Sequence, residues 1–285
     1  MSPEIFTTQN VIVQGITGTH GSFHTLAMKQ SGTNIIAGTS PTKAGTDIED
    51  IPVYASIADI KQHHTIDVSI IFVPAPYTKA AILEAINADV PLIVCITEGM
   101  PVHDMLYIKQ YIKEKSSQLI GPNCPGILLP GSGTLGIIPA SMGLLGSAGV
   151  VSRSGTLTYE TVSGLSARGI GQRYVIGIGG DPIRGTGFIE CLELFEKDPL
   201  VEQIILIGEI GGNDEQLAAE YIRTHITKSV YAYIAGHHAP AGVQLGHAGA
   251  ILGSKDESAQ AKSHALTRAG VVVSSSISRL VASVK

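Results

Sequence analysis

Short apolar, β-branched runs alternate with helix-patterned stretches from one end of this chain to the other. That alternation restricts the fold to strand–helix–strand units on parallel sheets. In the first half the pattern predicts strands at 10–14, 34–38, 68–73, 92–96 and 118–120, with helices over 22–31, 78–88 and 105–116. From 121 to 149 prolines and glycines accumulate without periodicity, which reads as a connection. The alternation then restarts, with strands at 149–152, 174–177, 203–208, 230–235 and 271–273 and helices at 156–168, 188–195, 216–225, 257–268 and 277–284. Two doubly wound α/β domains are expected.

With 285 residues, 44% of them hydrophobic, and 33 glycines, the chain can fill two modest cores. Nineteen basic and 24 acidic residues give a net charge of −5, which argues against a nucleic-acid partner. A phosphate site must therefore be local, built from backbone N–H groups and a few cations. No run has the length of a membrane span. Cys95, Cys124 and Cys191 are odd in number and lack metal-ligand spacing, so reduced thiols and no metal site are expected. The start, Met1 to Glu4, lacks the pattern of a secretion or transit signal, and a cytoplasmic location is expected.

Gly15-Ile16-Thr17-Gly18-Thr19-His20-Gly21 follows the first strand and opens a helix, where glycines let a backbone approach phosphates. The second strand ends without the acidic residue that would hold a ribose hydroxyl pair, and Lys43 stands beyond it instead. A lysine there suits a phosphorylated ribose, either the 3′-phosphate of coenzyme A or the 2′-phosphate of NADP. Val73-Pro74-Ala75-Pro76 follows the third strand, and its prolines read as a stiff ledge or an ordinary rigid loop. Cys124 reads as a buried, unreactive thiol.

In the second half, an apolar run from Ile204 delivers Glu209 at a strand's carboxyl end, the edge at which open α/β sheets bind ligands. His247 sits in Gly246-His247-Ala248-Gly249-Ala250, where its small neighbours leave the imidazole clear. A carboxylate on one ring nitrogen fixes the tautomer and leaves the other nitrogen nucleophilic; a turn histidine and a solvated strand end are the competing reading. Ser152-Arg153-Ser154-Gly155-Thr156 ends a strand and starts a helix, a place for an anion at free N–H groups, or for Ser154 as a plain cap.

These segments, with Gly121-Pro122-Asn123-Cys124-Pro125-Gly126, Ser152 to Glu160 and Gly177 to Pro182, resemble the alpha subunit of succinyl-CoA synthetase in the family's order. The resemblance implies a Rossmann-like CoA-binding domain over 1–122, a Gly/Pro-rich connection over 123–148 and a flavodoxin-like ligase domain over 149–285. It assigns coenzyme A to Thr17, Gly18, Thr19, His20, Lys43, Ile96, Thr97 and Glu98; the Val73-Pro74 ledge and Asn123, by their places after the third and fifth strands, are expected to join them. It makes His247 a phosphohistidine oriented by Glu209, and gives phosphate and substrate binding to Ser154, Gly155, Thr156 and Tyr159.

The implied activity is that of an NDP-forming acid–thiol ligase of the tricarboxylic acid cycle: succinate, coenzyme A and a nucleoside triphosphate going reversibly to succinyl-CoA, diphosphate and phosphate. No triphosphate loop occurs here, so the resemblance places the nucleotide and Mg2+ on a beta subunit of ATP-grasp type in a hetero-oligomer. The alternatives are a ligase for another dicarboxylate such as malate, a CoA- or NADP-binding protein without covalent chemistry, and a dehydrogenase.

The sequence also departs from the family. Cations that usually precede the histidine are replaced by Ala241-Gly242-Val243-Gln244-Leu245, and those after it by Leu252 to Asp256; His237-His238 replaces small residues. Such losses bear on phosphate and partner contacts. Arg184 is a candidate compensating charge, and a solvated loop arginine is its ordinary reading.

Overall fold

The structure, a computed structural model, describes residues 6, 9–240, 244 and 246–285. The expected start at Met1 to Glu4 lies outside these, as do four of the five residues in the segment 241–245.

The first sheet collects β1 (Val11–Gln14), β2 (Ile35–Thr39), β3 (Asp47–Ile48), β4 (Ile51–Tyr54), β5 (Val68–Ile71), β6 (Leu92–Cys95) and β7 (Gln118–Ile120), in the order β3-β4-β2-β1-β5-β6-β7. Only β3 runs antiparallel, against β4. Without it the order is that of a Rossmann fold, with the winding reversed between β1 and β5. Its helices are α1 (Thr19–Gln30), α2 (Ile57–Lys61), α3 (Ala75–Asn87) and α4 (Val102–Tyr111). β1, β5 and β6 are buried at every position, so their apolar runs are unbroken rather than alternating.

The second sheet contains β8 (Gly126–Leu129), β9 (Gly133–Gly136), β10 (Leu145–Ser152), β11 (Gln172–Gly177), β12 (Gln203–Glu209), β13 (Ser229–Ala235) and β14 (Val272–Ser274). Their order is β14-β13-β12-β10-β11-β8-β9. The five parallel strands β10 to β14 have the flavodoxin-like order, with the reversal between β10 and β12. Around them lie α5 (Gly155–Ala167), α6 (Phe188–Lys197), α7 (Asp214–His225), α8 (Ala259–Arg268) and α9 (Ile277–Ser283).

Where the sequence reads as a connection, the chain builds the hairpin β8–β9, which joins the second sheet antiparallel to β11. Its glycines hide the strand periodicity for a steric reason. Gly126 has φ +89°, and a Cβ there would stand 2.1 Å from the Leu135 carbonyl oxygen. The hairpin also fastens the two halves, since Thr33 Oγ1 donates to the Thr134 carbonyl at 2.7 Å and one apolar core runs from Val11 through Leu135 to Ile176. The proline ledge also needs correction. Pro74 precedes α3 and Pro76 lies in its first turn, where a missing N–H costs nothing, so half of the segment read as a ledge or rigid loop is the start of a helix.

Candidate active site

At the first sheet, every residue expected to meet coenzyme A lies beyond the carboxyl end of a strand, and the strands fall in a spatial row. Lys43 follows β2, residues 17–20 follow β1, Val73 and Pro74 follow β5, Ile96 to Glu98 follow β6, and Asn123 follows β7. Four strand spacings separate the ends of that row, about 19 Å, which suits an extended ligand.

The glycine loop is fixed by close approach: Gly15 has φ +81°, and a Cβ on Gly21 would stand 2.1 Å from the Gly15 carbonyl oxygen. No side chain caps α1 at Gly18. Among the described residues no acceptor pairs with the N–H groups of Thr19, His20 or Gly21, so the helix terminus is open to phosphate. Thr17 Oγ1 donates to Ser40 Oγ at 3.0 Å and Thr97 Oγ1 to the Val73 carbonyl at 2.7 Å, tying neighbouring loops together. A cleft of about 570 Å³ lies beside them, lined by Gly15, Ser40, Thr42, Val73, Pro74 and, from α3, Ala81; of the residues expected to meet coenzyme A, it takes in Val73 and Pro74. These features fit a long phosphorylated ligand. Cys124 is buried, its Sγ faces the Cys95 carbonyl at 3.2 Å, and burial pushes its thiol up to about 12, so it is a poor nucleophile at neutral pH.

At the second sheet, Glu209 ends β12 and Ser152 ends β10, with Arg153 and Ser154 just beyond it; these are the two strands flanking the winding reversal. His247 returns to this point: its Nδ1 lies 2.8 Å from Glu209 Oε2. The imidazole is less open than the sequence implies, at 27% side-chain exposure, because the ring rests on the backbone of Gly180. The Glu209 hydrogen bond raises the His247 pKa above its ordinary value, burial and Arg153 oppose it, and Nε2 is left for chemistry.

Beneath the pair lies a buried ionic network. Arg153 Nε is 3.3 Å from Glu209 Oε1 without hydrogen-bond alignment, and Arg153 Nη1 donates to Glu215 Oε1 at 3.1 Å. Lys262, fully buried, pairs with Glu215 and donates to the carbonyls of Glu209 at 2.9 Å and Gly211 at 2.6 Å. Burial alone would raise the Glu215 pKa, but Arg153 and Lys262 together hold it below the usual value. Lys262 is itself lowered by burial, which Glu215 offsets only in part because Arg153 stands close by. Sequence reasoning gave none of these three a role. The available signal was Lys262 on the buried face of α8 with Ala259 and Leu266.

Ser154 does cap α5, accepting from the Leu157 N–H at 3.3 Å. Among the described residues the N–H groups of Gly155 and Thr156 have no acceptor, so the cap and an anion cradle coexist. Tyr159 is half-buried against the second core, and its phenol is made less acidic first by burial and then by Cys124. Arg184 is not solvated: 4% exposed, it pairs with Asp214 and donates to the Asp181 carbonyl, while Lys109 Nζ donates to the Arg184 carbonyl at 2.9 Å. Among the described residues no helix is long and apolar enough to cross a membrane.

A family model described as a CoA binding domain matches residues 6–99, and one described as CoA-ligase matches residues 151–272. The chain is similar to the ADP-forming succinate–CoA ligase alpha subunit of Aquifex aeolicus, 48% identical over 265 residues covering 92% of this chain and 87% of that protein. It is 49% identical over 263 residues to alpha subunit 2 of the same enzyme from Archaeoglobus fulgidus, covering 92% and 91%. Among solved structures, ATP citrate lyase from Methanothrix soehngenii in complex with citrate and coenzyme A superposes with a TM-score of 0.86 at 25% identity. That match covers 96% of this chain and 49% of the lyase, so this chain spans about half the lyase's length.

Proposed function

The chain belongs to the succinate–CoA ligase alpha-subunit family, and from that premise we propose that it joins succinate to coenzyme A through a phosphohistidine formed on His247. The ligation forms a nucleoside diphosphate, and the alpha chain works as one subunit of a hetero-oligomer. One observation carries the histidine assignment: Glu209 holds Nδ1 at 2.8 Å, which presents Nε2 as the nucleophile.

In this reading Nε2 attacks the terminal phosphorus of the triphosphate, the P–O bond breaks, and the diphosphate leaves. The phosphoryl group then sits near the free N–H groups of Gly155 and Thr156 at the positive end of α5. A succinate carboxylate takes it from Nε2 to give an acyl phosphate, with Tyr159 on the substrate side. The coenzyme A thiol attacks the carbonyl carbon and inorganic phosphate departs.

Coenzyme A lies along Lys43, Thr17 to His20, Val73, Pro74, Ile96 to Glu98 and Asn123. The units are 1–122 for the cofactor and 149–285 for the ligase, and the segment 123–148 between them adds the hairpin β8–β9 to the ligase sheet. The partner is a beta subunit of ATP-grasp type that carries the nucleotide and Mg2+. Three buried free cysteines suit the reducing cytoplasm.

The test is transfer of label from terminally labelled ATP or GTP. With the beta subunit present, acid-labile, base-stable label should appear on the wild-type chain and not on His247→Ala. Undiminished labelling of that variant, or labelling of the alpha chain without its partner, would overturn this division of roles.

A further inference from the structure

Asp181 stands where the two halves of the proposed site meet. Its neighbour Gly180 carries the His247 ring, and the Gly180 carbonyl accepts from the Gly249 N–H at 3.0 Å, so one side of this loop is the floor of the histidine. The other side is docked on the end of the coenzyme A row. Gly180 N–H donates to the Asn123 carbonyl at 3.2 Å, and Asn123 Nδ2 donates to Asp181 Oδ1 at 2.9 Å. A thiol arriving past Asn123 and an acyl group activated at His247 have to meet beside this carboxylate.

Asp181 is 7% exposed, and among the described residues no donor reaches its Oδ2. Of the other buried carboxylates here, Glu209 is engaged by His247 and Glu215 by Arg153 and Lys262; Glu98 is exposed on an irregular segment.

We propose that Asp181 is the general base that takes the proton from the coenzyme A thiol, an inference that rests on the acyl-phosphate route above. The S–H proton passes to Oδ2 and its electron pair stays on sulfur. The C–S bond forms at the succinyl carbonyl carbon, and the C–O bond to phosphate breaks with its pair on oxygen. The surroundings suit a base that takes up and returns a proton. Burial raises the carboxyl above its ordinary value; the Asn123 bond opposes this, Glu98 adds to it, and Arg184 and His247 pull it down. The thiols of Cys95 and Cys124 also face it, and burial keeps both protonated.

The experiment uses the complete alpha–beta enzyme and reads three steps separately: label on His247, hydroxamate formed when hydroxylamine traps the acyl phosphate without coenzyme A, and single-turnover thioester formation across pH. Asp181→Asn keeps an oxygen for Asn123, so label and hydroxamate should form as in wild type. Its thioester step should slow by about 100-fold or more and lose the acid limb of its pH profile. An unchanged thioester rate and profile would overturn the proposal alone, and so would loss of label together with thioester, which would make Asp181 a structural residue. Removal of the acid limb by Glu98→Gln instead would assign the base to Glu98. Absence of label from wild-type His247 would overturn the phosphohistidine route and this step with it.

Discussion

A Cβ on Gly180 would stand 2.2 Å from Cγ of His247, so the imidazole lies directly on bare backbone. The glycine pair in Gly179-Gly180-Asp181 thus serves two separate contacts: Gly179 lets the chain press against the Pro122 carbonyl at φ +96°, and Gly180 makes room for the ring. Gly180→Ala should therefore act on the ring alone, since its backbone is not left-handed. Displacing the ring by about 1 Å should slow His247 labelling about 100-fold, with coenzyme A affinity by calorimetry unchanged. Labelling at the wild-type rate would mean that the ring works from another position.

Glu209→Gln tests what the carboxylate contributes beyond orientation. A glutamine oxygen can still accept from Nδ1, but the charge that raises the His247 pKa is gone. The histidine resonance should then titrate at lower pH in NMR, because burial and Arg153 both disfavour its protonated form. Phosphorylation needs neutral imidazole, so its rise with pH should begin earlier in the variant. Its maximum should fall by about 2–4 kcal/mol of transition-state stabilisation. The sign for folding is opposite: a raised histidine pKa stabilises the fold fully below the unfolded value of about 6.5, and that stability is lost as pH rises through the folded value. An unshifted titration would disconnect Glu209 from the histidine in solution.

Much of this site is legible in the sequence, because parallel sheets concentrate ligands at strand ends and strand ends can be read. Glu209, the loop of Gly15 to Gly21 and Asn123 were reachable in that way. Two kinds of feature were not. Hairpin β8–β9 is glycine-rich for cross-strand clearance, which removes the apolar alternation that marks a strand. The buried charges Arg153, Glu215 and Lys262 come from three separate segments, and apart from the place of Lys262 on the apolar face of α8 only their convergence distinguishes them from solvated residues. Arg184 misleads for the same reason, as its partner Asp214 belongs to the start of α7.

Glu215 is fully buried between Arg153 and Lys262, so removing its charge strands two cations. Glu215→Gln should cost about 3–5 kcal/mol in denaturant unfolding. Its depressed pKa stabilises the fold above the ordinary glutamate value of 4.5, and that contribution is lost as pH falls through the lower folded value. The variant should accordingly show a shallower acid-induced decline than wild type. Equal slopes in acid would place the loss elsewhere.

Lys43 is the remaining cation at the far end of the coenzyme A row. Its backbone is fixed, with the N–H donating to the Ser40 carbonyl at 3.2 Å and the Lys43 carbonyl accepting from Thr46 Oγ1 at 2.7 Å, while its side chain is exposed. A phosphate on the ligand ribose would meet a positioned but solvated ammonium. Dephospho-coenzyme A should bind the chain more weakly than coenzyme A by roughly 1 kcal/mol, less than the usual worth of a charged hydrogen bond, because water screens the pair. Added salt should narrow that gap, and Lys43→Met should close it without altering affinity for the dephospho form. Equal affinities in the wild-type protein would remove Lys43 from this role. Tight NADPH binding would point instead to the 2′-phosphate that the same lysine could hold.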